Sequence, residues 1–94
     1  MDSQAPAVFA VRGPLTRADL PGLYRRVCAL LAKAEGPVVI CDVTGVAADV
    51  VTVEALTRFQ LAARRRGQLV RLSGASGELR ELVAFMGLRE VLRE

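Results

Sequence analysis

Apolar positions along this chain alternate between two periods. Ala7 to Arg12, Ala-Val-Phe-Ala-Val-Arg, predicts a strand that Gly13-Pro14 ends. Leu20, Leu23, Val27, Leu30, Leu31 and Ala34 then recur at helical spacing and make one continuous apolar stripe. Thr16 stands where an N-cap belongs, and Asp19 in the first turn suits the helix dipole. Pro21 lies near enough to the start to be tolerated, and Gly36-Pro37 closes the helix. Val38 to Val43 is apolar at both parities, which predicts a strand central in its sheet or covered on both faces. A second helix is expected from about Val51 or Thr52 to Arg66, with Asp49 before its first turn and Gly67 as its stop. Leu69 to Leu72 reads as the next strand. The tight loop Ser73-Gly74-Ala75-Ser76-Gly77 follows, and its Ser76 can cap a third helix with Leu79, Leu82, Val83 and Met86 inward. Gly87 ends that helix, and Val91-Leu92 reads as a short final strand or a turn.

The order β-α-β-α-β-α requires crossover connections, hence an α/β fold with a mainly parallel or mixed sheet. Residues 1–94 make one domain with no linker, repeat or low-complexity segment. A chain of this size hides roughly 64% of its extended-chain surface on folding, enough for a core without staples. Apolar residues make up 52%, which argues against disorder. The longest apolar runs are far short of a membrane span. The start Met1-Asp2-Ser3-Gln4-Ala5-Pro6 carries neither a basic segment nor a hydrophobic signal core. A soluble cytoplasmic protein without membrane insertion is therefore expected.

Chemistry is scarce. With no histidine, the chain lacks the usual base near neutral pH and the commonest zinc ligand. A net charge of +3 with one Tyr, three Phe and no Trp gives little for nucleic acid to bind. Cys28 and Cys41 lie among apolar neighbours and read as two buried reduced thiols. Asp42 and Asp49 flank the junction between the second strand and the second helix, where two acids could hold Mg²⁺ or share a proton. No base or phosphate cradle accompanies them, and strand termination and helix capping explain both residue types. The Ser73–Gly77 loop could bind an anion through free N–H groups, but a tight turn needs the same small residues. Arg64-Arg65-Arg66 offsets the dipole at a helix C-terminus. Leu61 is different. It lies opposite Ala55, Leu56, Phe59, Ala62 and Ala63 on the helical wheel, among Thr57, Arg58, Arg64 and Arg65. An exposed leucine in a basic frame suits a small protein contact. No catalytic residue, metal site or cofactor is expected.

Three segments carry a family resemblance. Val38 to Val46 resembles the strand and turn of STAS domains, the sulfate transporter and anti-sigma-factor antagonist family. Leu72 to Leu88 resembles that family's next strand, small-residue loop and last helix ending in Gly-Leu. The Ala-Arg-Arg-x-Gly end of the second helix lies between them in order. The resemblance implies a small mixed, mostly parallel sheet with helices mainly on one face. It also implies a non-enzymatic, bacterial regulatory module acting in signalling and transcription regulation. Stand-alone members bind an anti-sigma factor that is also a serine/threonine kinase. They are switched off by phosphorylation of a Ser or Thr just after an Asp at the start of the second helix. The matching Asp here is Asp49, and the acceptor position falls on Val50, which has no hydroxyl. Thr52 is the remaining phosphoacceptor candidate, beside its more ordinary role as a first-turn threonine facing Glu54. A second branch serves as the accessory subunit of a bacterial lipid-transport ABC complex, binding its ATPase through the same helix. The partner surface expected on either branch is Asp49, Val50, Val51, Thr52, Arg58, Leu61 and Arg65. A homodimer is open on both.

Overall fold

A computed structural model describes residues 6–94, so the reading of Met1–Ala5 as lacking a signal segment lies outside the described residues. Three strands, β1 (Ala7–Ala10), β2 (Val38–Asp42) and β3 (Leu69–Ser73), alternate with three helices, α1 (Leu20–Lys33), α2 (Val50–Arg65) and α3 (Gly77–Phe85). The strands pair in parallel in chain order, with Phe9 beside Cys41 and Cys41 beside Leu72. When the order along a parallel sheet follows the chain, right-handed crossovers drop successive helices onto the same face. Burial shows the result. Phe9, Val39, Cys41, Val70 and Leu72 are buried beneath the helices. On the opposite face Val38, Ile40 and Leu69 are only half-buried and Val8 is 63% exposed. The apolar residues at both parities of β2 thus reflect its central place in the sheet, and one face alone has a helical cover.

The expected helix ends are present. Asp49 caps α2 by accepting from the Thr52 N–H at 2.8 Å, and Ser76 caps α3 by accepting from the Leu79 N–H at 3.0 Å. Gly67, at φ +74°, ends α2 while Gln68 N–H donates to the Ala63 carbonyl at 2.8 Å. Gly87 ends α3 in the same way, with Leu88 donating to Val83. The entry to α1 differs from the expectation. A 3-10 turn over Arg17–Asp19 comes first, and the Asp19 carboxylate accepts from both the N–H and the hydroxyl of Thr16. Thr16 is thus the N-cap of that turn and forms a capping box with Asp19, one short turn ahead of α1 itself.

Leu30 and Met86 are corrections. Leu20, Val27 and Leu31 are buried on α1, but Leu30 lies at the rim of the stripe, 43% exposed. Met86 follows the last turn of α3 and is 37% exposed, while Leu79 and Val83 carry the contact and Leu82 is half-buried. Cys41 is buried and Cys28 half-buried, both free. Burial, with the Asp42 charge beside it, pushes the Cys41 thiol up to about 12. The edge-to-face pair of Phe9 and Phe59, centroids 6.0 Å apart, seats α2 on the sheet.

One buried polar residue went unread in the sequence. Gln60 on α2 is 1% exposed, and its amide hydrogen-bonds the Val70 main chain on both sides. The side-chain oxygen accepts from the Val70 N–H at 2.8 Å, and the nitrogen donates to the Val70 carbonyl at 2.8 Å. The same nitrogen donates to the Val91 carbonyl at 2.9 Å. Gln60 thus stands in for a fourth strand along the free edge of β3. Leu72 N–H, the next outward group, donates to the Arg93 carbonyl at 2.7 Å. Val91-Leu92 accordingly forms a turn, with Leu92 buried against the core. Gln60→Leu keeps the volume but strands buried main-chain groups, so it should cost about 2–4 kcal/mol. Urea unfolding measures this, and a midpoint equal to wild type would show the amide to be dispensable.

Candidate functional site

The carboxyl ends of β2 and β3 are locked together below the start of α2. Asp42 turns back on its own loop, where Oδ1 accepts the Thr44 hydroxyl at 2.6 Å and the Thr44 N–H at 3.0 Å. These two bonds, the hydroxyl first, hold the Asp42 carboxyl below the usual carboxylate range. Gly74, at φ +77°, passes so close that a Cβ there would meet the Thr44 hydroxyl oxygen at 2.1 Å. Asp42 is therefore occupied by Thr44, and Asp49 by the first turn of α2. Among the described residues no three His, Cys, Asp or Glu side chains gather in a metal-ligating group. The Ser73–Gly77 loop puts Ser76 to use as a cap.

The residues expected at a partner surface divide between the two sides of α2. Val50 is 50% exposed, Leu61 47%, and Arg58 and Arg65 are exposed. Val50 and Leu61 are eleven residues apart on one face, which places them about 16 Å apart along the axis. Asp49 is half-exposed at the N-cap, and Val51 is half-buried against the core. Thr52 points the other way. It is fully buried, and its hydroxyl has no hydrogen-bond partner. Glu54 instead pairs with Arg17, joining the turn before α1 to the first turn of α2. The expected basic frame around Leu61 is present, with Arg58, Arg64 and Arg65 exposed and Thr57 half-buried.

Another concavity lies elsewhere. An open groove of about 870 Å³ runs between α3 and the C-terminal turn, floored by Leu72, Val83 and Leu92. No α2 residue lines it, and its rim of Arg80, Arg89 and Arg93 is matched by Glu81, Glu90 and Glu94. Such a neutralised rim selects no ligand charge, so the outer face of α2 is the better candidate site.

Two variants test this geometry. A carboxyl whose pKa is lowered on folding adds stability above its unfolded value, about 3.9, and loses it as pH falls through the folded value. The urea midpoints of wild type and Asp42→Asn should differ at neutral pH and converge as pH drops below about 4; a gap constant with pH would refute the charged Asp42–Thr44 bond. Thr52→Val removes a buried hydroxyl that bonds nothing, so it should raise stability by about 1 kcal/mol. A loss would mean the hydroxyl has a partner.

The helix-capped junction, the small-residue loop before α3 and the one-sided helical cover agree with one family. A family model described as "Mlab, STAS domain" matches residues 2–94. No curated protein matches the sequence. Since that family match runs over nearly every residue, the chain belongs to the STAS family of regulatory protein-interaction modules.

Proposed function

We propose that the chain is a regulatory module that docks a protein partner on the outer face of α2 and takes part in no chemistry of its own. The contact consists of Asp49 and Val50 at the top of the helix and Arg58, Leu61 and Arg65 down its length, with Val51 at the margin. The observation that carries this reading is Leu61, 47% exposed at the centre of a basic frame. A small apolar centre with a charged surround is the usual anatomy of a protein contact. The partner type is an anti-sigma-factor kinase or a similar signalling protein, as the family resemblance implies.

This module works without the family's phosphorylation switch. Val50 offers no hydroxyl where the acceptor belongs, and Thr52 is fully buried. A kinase could reach Thr52 only if the first turn of α2 came away from the core. A second reading is the accessory subunit that binds the ATPase of a bacterial lipid-transport ABC complex. Two observations favour it: the matching family model bears the description "Mlab, STAS domain", and the start of α2 has no accessible acceptor.

Leu61→Glu should weaken partner binding at least about tenfold, or about 1.4 kcal/mol, with unchanged circular dichroism. Titration of the purified partner candidates by calorimetry reads this directly. Wild-type affinity in the variant would remove the α2 face from the interface. Which of the two candidates binds at all decides between the readings.

A further inference from the structure

We infer that the free edge of β1 takes up a short acidic segment of a protein as an added strand, its main chain on Val8 and Ala10 and its carboxylates among Arg12, Arg25 and Arg26. The two edges of the sheet are unlike. At β3 the outward main chain is bonded, Val70 by the Gln60 amide and Leu72 N–H by the Arg93 carbonyl. β1 stands at the other edge. Val11 N–H donates to the Asp42 carbonyl at 2.9 Å and Phe9 lies beside Cys41, so the odd-numbered residues turn their main chain toward β2. Val8 and Ala10 therefore turn theirs outward, and no hydrogen bond among the described residues reaches them. Both residues are exposed, and no charge within Ala7–Ala10 guards the edge against pairing. The turn that follows leads away toward α2, where Arg17 pairs with Glu54.

A hollow of about 710 Å³ opens at the carboxyl end of this edge, with Ala10 and Val11 in its wall. Arg12, Arg25 and Arg26 line it against a single acid, Asp19. The Asp19 carboxylate is already taken up by the N–H and hydroxyl of Thr16. The ion pairs among the described residues include none of the three arginines. The groove beside α3 has a balanced rim, whereas this hollow has a surplus of positive charge and selects an anion. Ala10 belongs to both the edge and the hollow, so an extended segment paired with β1 runs past the arginines. The edge selects extended polypeptide, and the hollow selects its charge. β1 holds four residues, about 13 Å of strand, so the added segment is short. A second copy of the chain would bring the same positive surplus, which favours an acidic segment over self-pairing.

The peptide acetyl-Glu-Val-Glu-Val-Glu-Val-amide serves as the probe, followed by calorimetry and by amide hydrogen exchange of the isolated protein. Val8 and Ala10 N–H should exchange faster than those of Phe9 and Val11, and bound peptide should slow them about tenfold or more. Half-saturation should lie below about 1 mM peptide in about 20 mM salt and rise at least tenfold in about 500 mM salt. A Lys-Val peptide of the same length, the Glu-Val peptide N-methylated throughout, and the variants Arg12→Glu and Arg26→Glu should each bind at least about tenfold more weakly. Val8→Pro removes an N–H that serves no bond inside the sheet, so circular dichroism should be unchanged while the peptide is lost. No binding at about 1 mM, or Val8 and Ala10 N–H protected before peptide is added, would overturn the proposal. Equal binding of the N-methylated peptide would overturn it too, leaving an attraction between charges without an added strand. Leu61→Glu should bind the peptide as wild type does, so this edge and the α2 face fail separately.

Discussion

The amide of Gln60 governs more of this structure than any other polar group. Its two hydrogen bonds to Val70 fix α2 in rotation about its own axis, because a side chain held on the edge of β3 cannot turn away without stranding buried main chain. With that rotation set, Phe59 falls against Phe9, Ala62 and Ala63 against the core, and Leu61 into solvent. The exposed face of α2 is thus a consequence of an interior bond. Its third contact, to Val91, brings the C-terminal turn into the same arrangement and leaves β3 without an open edge there.

Strand order and loop locks do the rest. Parallel pairing in chain order forces the helices to one side, which gathers their outer faces into one broad surface. At the carboxyl ends of β2 and β3, the Thr44 hydroxyl is held by Asp42, and only a glycine at position 74 can pass it. These contacts set the level at which the chain turns toward the start of α2. The binding face proposed on α2, being built on a helix anchored in this way, has little ordering left to do on association.

Much of this was legible because it depends on local rules. Asp49, Ser76, Gly67 and Gly87 announce helix ends through chemistry that acts over three or four residues. The wheel of α2 separated Leu61 from the apolar side because one helix face was unambiguously apolar. What escaped was tertiary. Gln60 reads as an ordinary polar helix residue until β3 lies beside it, and Thr52 reads as a surface threonine until the first turn of α2 is pressed onto the core. Leu30 and Met86 match the helical period but fall beyond the reach of their neighbours. The half-bare face of β2 shows the same limit, since periodicity reports that residues are apolar and says nothing of whether a second layer exists.

The contrast between the two cysteines has a practical side. Cys41 is sealed under the helices, and burial beside the Asp42 charge raises its thiol to about 12. Cys28, half-buried on α1 and packed against the core, is the more accessible of the two. A thiol reagent should therefore react with Cys28 before Cys41 in the folded chain. A fluorophore or spin label can be attached on α1, off the α2 face proposed for the partner, with the native sequence left intact.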